Sequence, residues 1–210
     1  MYKILLLIIS LIVGYLLINI KHVSYKIYKK PIRSIDFVHI EPLKLSTVNP
    51  IIEVNGNKVV LVRSNYVLNN IDSSINRQTQ KPTFKYQIKL LSVLEDKLTT
   101  YSNPGSNILV LGFGMGGLSL PMIKMESIVK IDNVDLDYSM FRIYKTLFPQ
   151  HSPKMRFYTY EASKFLQHIT CKYDFIIDDV FDKYNKIKLN LQLIKSRLKS
   201  GGCYLVNIFN

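Results

Sequence analysis

The sequence predicts an α/β protein: a parallel sheet of five strands with helical crossovers, preceded by a small β-hairpin unit and an N-terminal transmembrane helix. Three observations carry this expectation. From Asn107 onward, short apolar runs alternate with amphipathic segments, the pattern of repeated βαβ units. At the head of that region, Ile108-Leu109-Val110-Leu111 runs into Gly112-Phe113-Gly114-Met115-Gly116-Gly117, a buried strand followed by a tight strand-to-helix turn. Finally, residues 4–20 are apolar except for Ser10, Gly14, Tyr15 and Asn19.

The first of these elements in chain order is the apolar one. Its 17 positions reach about 25 Å as a helix, slightly short of a hydrocarbon core, and Lys3 and Lys21 can snorkel to close the gap. A cleaved signal peptide needs small residues at its cleavage site, and Leu17-Ile18-Asn19-Ile20-Lys21 has none, so residues 1–21 are expected to be an uncleaved single-pass anchor. Lys21, Lys26, Lys29, Lys30 and Arg33 follow the span and only Lys3 precedes it, which places the main domain in the cytoplasm. The lack of a glycosylation sequon among 15 asparagines agrees. Residues 22–33 read as a basic linker.

Residues 34–104 read as the hairpin unit plus a helix. Ile51-Ile52-Glu53-Val54 and Lys58-Val59-Val60-Leu61-Val62 flank Asn55-Gly56-Asn57, a hairpin signal. The polar stretch 71–81 reads as loop. Pro82 suits the first turn of a helix whose Phe84, Ile88, Leu91, Leu94 and Leu98 share one face. In residues 105–210 the strands begin near Ile108, Val134, Met155, Tyr173 and Cys203, with helices near 118–125, 140–147, 162–169 and 187–198 between them and a Gly201-Gly202 turn before the last strand. The domain is expected to stop after strand five, with a homodimer partner or another protein covering that sheet edge.

The chain has 28 basic and 15 acidic residues, a formal charge of +13. This favours an anionic lipid surface over nucleic acid, because no Arg-rich or aromatic-interleaved tract is present. Cys171 and Cys203, and the four histidines, show no metal-ligand spacing, so no metal is expected.

The acids point to the chemistry. Asp135 lies 23 positions after Gly112, the distance at which such sheets present a carboxylate to ribose hydroxyls. Asp137, Glu161, Asp178, Asp179 and Asp182 also fall at or just past predicted strand ends, the edge where open α/β sheets bind ligands. Asp137 and Glu161 are equally suited to capping the next helix. The close set Asp178, Asp179 and Asp182 suits a cationic ligand instead, because neighbouring carboxylates repel.

Leu-Gly-Phe-Gly-Met-Gly-Gly (111–117), Val-Asp-Leu-Asp (134–137), Glu-Ala-Ser-Lys-Phe-Leu (161–166), Tyr-Asp-Phe-Ile-Ile-Asp-Asp-Val-Phe-Asp (173–182) and Leu-Lys-Ser-Gly-Gly (198–202) occur in this order. The chain thereby resembles the spermidine synthase-like branch of the class I S-adenosylmethionine-dependent transferases, with their Rossmann-like sheet. The resemblance implies that Gly112, Gly114 and Gly116 wrap the methionine-derived part of the ligand, that Asp135 holds the ribose, and that Glu161 and Ala162 flank adenine. Asp179 would accept the attacking amine's proton, and Asp182 would be the second catalytic acid. The donor would be S-adenosylmethionine or its decarboxylated form, and the group transferred aminopropyl or methyl, to an amine or methyl acceptor. The chain departs from the family at Val180 and Phe181, where hydroxyl residues are expected, and at Tyr86-Gln87-Ile88, where Tyr-His-Glu is expected. Two alternatives remain: a catalytically inactive binding module of the same fold, and a nicotinamide-dependent oxidoreductase, which Gly112-X-Gly114-X-X-Gly117 also fits.

Overall fold

The computed structural model describes residues 35–37, 51–54, 58–62, 71–76, 78–101, 105–150, 152–181 and 187–207. The expected anchor at 1–21, the basic linker, the Asn55-Gly56-Asn57 turn and Asp182 lie outside the described residues. Among the described residues, no helix is long and apolar enough to cross a membrane.

Two sheets are present. The first is antiparallel, in the order β1 (Ile35–Phe37), β2 (Ile51–Val54), β3 (Lys58–Val62) and β4 (Ile71–Asn76). β2 and β3 pair from Val54↔Lys58 to Ile51↔Leu61. The fourth strand corrects the sequence expectation of a loop at 71–81. Its serines hide it from a hydrophobicity pattern, yet Ser73 and Ser74 are buried, and the Ser74 hydroxyl is hydrogen-bonded to Thr83.

Helix α1 (Lys85–Thr100) follows and packs on the second sheet through Leu91, Leu94 and Leu98. Its buried face is rotated from the expected one. Gln87, not Ile88, lies inward, and Ile88 is 52% exposed. Pro82, expected at the helix start, instead forms a bridge with Ile75.

The second sheet has five strands: β5 (Ser106–Leu111), β6 (Ile128–Asp135), β7 (Met155–Thr159), β8 (Tyr173–Asp178) and β9 (Leu198–Val206). All are parallel, in the order β7-β6-β5-β8-β9, so the α/β expectation holds. The chain starts at the central strand, runs outward to one edge, then returns to build the other. Such an order leaves a crevice where the direction of winding reverses, at the C-terminal ends of β5 and its neighbours.

The crossover helices are α2 (Ser119–Met122), α3 (Tyr138–Leu147), α4 (Ala162–His168) and α5 (Leu191–Arg197). α2 and α5 are shorter than their periodicity suggests; Leu191, expected on the buried face of α5, is 58% exposed. Strand β9 begins at Leu198, ahead of the Gly201-Gly202 turn, with a break in register between Tyr173 and Phe175. One face of the sheet packs against α1, α2 and α3, and includes Phe113, Phe141, Tyr144 and Phe175. The other packs against α4 and α5, joining Leu109, Leu111 and Ile176 to Phe165, Leu166 and Ile194.

The sheet is locked at its lower edge by a buried acid that patterning does not reveal. Asp174, at the start of β8, accepts from the Asn107 N–H (2.8 Å), the Tyr101 hydroxyl (3.0 Å) and Lys199 Nζ (2.8 Å). Burial pushes its pKa up, but these donors outweigh it and hold the carboxyl below its usual range. Asp174→Ala leaves Lys199 and a backbone N–H without their partner, so a loss of about 3 kcal/mol in chemical denaturation is expected. Because the folded-state pKa is depressed, this stability is present above the unfolded carboxyl's pKa of about 4 and is lost as pH falls below it. The wild type should therefore weaken in acid more steeply than Asp174→Ala.

Candidate functional site

The site begins where β5 ends. Gly112 turns left-handed, with φ of +85°, and a Cβ there would stand 2.4 Å from the Asp179 carbonyl oxygen. Only a residue without a side chain lets the ends of β5 and β8 come this close. Gly114, also left-handed, abuts the small sheet: its Cβ would lie 2.8 Å from Ser73 Oγ. Gly116, the third expected glycine, has φ of +83°. Phe113 and Met115 alternate with these glycines and point into the core, Phe113 edge-on to Tyr144 and Phe157.

The loop's N–H groups are bonded within the protein. Gly112 N–H donates to the Val134 carbonyl (2.9 Å) and Gly116 N–H to the Phe113 carbonyl (3.0 Å). Phe113 and Gly114 donate to Asp135 Oδ2 at 2.9 and 3.0 Å, and Met115 donates to Ser73 Oγ at 3.0 Å. Asp135 thus sits at the glycine loop as its spacing predicts, and its Oδ1 accepts from the Asp137 N–H (2.9 Å). Burial raises its pKa, against the lowering effect of these backbone donors.

Across the crevice, Asp179 follows β8. Its Oδ2 accepts from the Tyr86 hydroxyl (3.1 Å) on α1, and its Oδ1 from Asn207 Nδ2 (2.8 Å), just past β9. Burial raises the Tyr86 pKa well above the ordinary phenol value, and the Asp179 charge and hydrogen bond raise it further, while a hydrogen bond with Gln87 opposes this. A neutral phenol is therefore held on the carboxylate as a donor. Asp178 is buried and separately satisfied, by the Tyr204 hydroxyl (2.6 Å) and the Val180 N–H (3.1 Å). The two consecutive acids thus accept from distinct sets of donors.

Glu161 caps α4, the structural option open to it. Its oxygens accept from Ser163 N (2.9 Å), Ser163 Oγ (2.5 Å) and Lys164 N (3.3 Å). The Ser163 side-chain bond leads in lowering its pKa. Ala162 is buried at the first turn of that helix. Among the described residues, no group of three His, Cys, Asp or Glu side chains is placed to hold a metal ion.

Tyr86, Asn207, Ser73 and Leu136 belong to the crevice and were missed by the sequence reading. Leu136, next to Asp135 just past the end of β6, is 72% exposed. That exposure was not visible in the sequence. Tyr86 lay within the Tyr-Gln-Ile departure already noted, which was the available signal for it.

Comparison with known proteins bears on the family and the fold. The model of the spermine/spermidine synthase domain matches residues 94–206. The chain is 30% identical over 112 residues to the polyamine aminopropyltransferase of Clostridium perfringens, covering 50% of this chain and 38% of that protein. It therefore spans about two fifths of the length of that curated relative. Among solved structures, it superposes on a probable spermidine synthase from Corynebacterium glutamicum with a TM-score of 0.61 at 17% identity, covering 84% of this chain and 64% of that one. A spermidine synthase in complex with the transition state analogue AdoDATO gives 0.57 at 17% identity, covering 83% and 57%. The two superpositions speak to fold alone, whereas the domain match extends over more than half of the sequence; the chain belongs to the spermine/spermidine synthase domain family.

Proposed function

We propose that the chain is an aminopropyltransferase that takes decarboxylated S-adenosylmethionine as donor and a small amine as acceptor, held at a membrane by residues 1–21. The observation that carries this reading is Asp179, oriented by Tyr86 and Asn207 with its backbone against Gly112. A carboxylate so held faces the point where the donor loop and the amine would meet.

The chemistry is a substitution at carbon. The amine lone pair forms the new N–C bond as the C–S bond breaks, its electron pair returns to the sulfonium sulfur, and a neutral thioether leaves. The nitrogen's proton passes to Asp179, whose two oxygens accept from Tyr86 and Asn207, donors that orient the carboxylate and do not compete for that proton. Asp135 holds the ribose, Leu136 offers an apolar surface to the base, and Glu161 and Ala162 flank adenine from the start of α4. Asp182 would act as the second acid of the amine side. S-adenosylmethionine, with methyl transfer, is the other donor compatible with the loop.

The same loop disfavours a dinucleotide. A pyrophosphate needs free N–H donors at the glycine turn. Here the five N–H groups from Gly112 to Gly116 are already bonded within the protein, and a carboxylate stands beside them.

Calorimetry of the full chain in detergent tests the donor assignment, with decarboxylated S-adenosylmethionine, S-adenosylmethionine, methylthioadenosine and NAD as ligands. Adenosyl sulfur compounds should bind and NAD should not. Asp135→Ala should weaken adenosyl binding by about 1.5–3 kcal/mol, the usual loss for hydrogen bonds to a charged group. Tight NAD binding would overturn the reading. Ile88, exposed at the position where the family resemblance expects a carboxylate, favours one second reading: a module that binds the donor without transferring it. Adenosyl binding with no turnover on any amine would decide for that module.

A further inference from the structure

Both faces of the parallel sheet are basic at their surface, but they differ in how acids are mixed in. On the face covered by α1, α2 and α3, exposed carboxylates, Glu95, Asp96 and Glu126, are interspersed with exposed lysines and Arg142. The face covered by α4 and α5 is otherwise. Residues 160–172 and 187–200 contain one acid, Glu161, and its oxygens are engaged in the α4 cap. Against it stand Lys164, Lys172, Lys188 and Lys195, all exposed. Arg197 and Lys199 are turned inward, to the Leu166 carbonyl and to Asp174. The Arg197 bond also ties the end of α5 to α4, so the two helices offer one surface.

That surface has apolar side chains among its lysines. Leu191, on the first turn of α5, is 58% exposed, and Tyr160 is half-exposed beside His168 on α4. Lysines around an exposed leucine and tyrosine are the composition of a surface that rests on lipid headgroups, with the ammonium groups at the phosphates and the apolar groups just below. A nucleic-acid surface would be expected to use Arg, for bidentate phosphate and base contacts, and Arg197 is taken.

We propose that the α4–α5 face is a docking surface for an anionic bilayer, on which the folded domain lies flat, with Lys164, Lys172, Lys188 and Lys195 at the headgroups and Leu191 inserted. The site described above is then carried at the edge of the docked domain, because α4 and α5 cover a sheet face and the crevice lies at the strand ends. This inference is compatible with the membrane anchor proposed above but is tested separately from it.

The full chain would be reconstituted in bilayer discs of phosphatidylcholine alone or enriched in phosphatidylserine, with a fluorophore on Cys171, an exposed thiol next to Lys172. Headgroup spin-labelled lipid serves as quencher. Strong quenching is expected in the anionic discs, weak quenching in the neutral ones, and loss of the difference in high salt. Lys164→Glu with Lys195→Glu should lower the ratio of docked to undocked protein at least about tenfold, since one lysine near an anionic surface contributes about a fivefold factor. Lys172→Glu with Lys188→Glu provides a second pair should the first fail to fold. Equal quenching in the two kinds of disc, or none in either, would overturn the proposal. So would duplex RNA or DNA displacing the face from phosphatidylserine, which would assign the surface to nucleic acid. Alkaline carbonate extraction reads the anchor: release of the chain from anionic vesicles that still quench Cys171 would reject the anchor and leave the docking face standing.

Discussion

Asp179→Asn is expected to lower turnover by roughly 10²–10⁴-fold, the usual contribution of a positioned general base. The asparagine keeps the shape of the side chain but accepts no proton at neutral pH. Tyr86 and Asn207 would still meet an oxygen on one side, whereas an amide NH₂ would face one of the two donors. Donor binding should survive, because Asp135 and the glycine loop are untouched. The result to look for is a fall in kcat with a calorimetric affinity for decarboxylated S-adenosylmethionine unchanged. If Asp179 only holds α1 and β9 together through Tyr86 and Asn207, activity would persist and only the melting temperature would fall. That pattern would remove the catalytic assignment.

Gly112→Ala should be the most damaging glycine-to-alanine change among the described residues. The left-handed backbone disfavours any Cβ by about 1–2 kcal/mol. The added methyl would also overlap the Asp179 carbonyl carbon and oxygen, which are backbone atoms and cannot rotate away. Overpacking of this kind adds about 1–3 kcal/mol, so a total of about 2–5 kcal/mol is expected, a large share of an ordinary domain's stability. Chemical denaturation measures it. Activity should fall further than stability explains, because relief of the clash moves Asp179 away from the donor loop. An alanine variant of wild-type stability would mean that the strand ends are not packed as described.

The glycine loop and Asp135 were legible because both signals are local and fall on one crossover unit, where spacing along the chain fixes spacing in the fold. Asp179 was legible through the family resemblance of its segment. Its two donors were not. Tyr86 lies 93 positions from Asp179 and Asn207 lies 28 away, and a phenol or a carboxamide carries no periodic signal. Strand β4 was lost for a related reason: its buried serines bond the Thr83 hydroxyl and the Met115 N–H, and a hydrophobic pattern reads such residues as loop. The rotation of α1 shows how small such an error can be. Exchanging Ile88 for Gln87 on the inner face is a one-residue step, about 100° around the helix. Glu161 had two readings of comparable merit, and the cap is the one that the local backbone displays.

The internal bonding of the glycine loop has a thermodynamic consequence. With each N–H from Gly112 to Gly116 bonded within the protein itself, the loop's ordering entropy is lost during folding and not on association. A ligand therefore meets a rigid wall. Its heat-capacity change on binding should reflect apolar burial, such as that of Leu136, without the larger negative increment of coupled folding. Affinity differences among adenosyl compounds should then follow how well each one fits the wall.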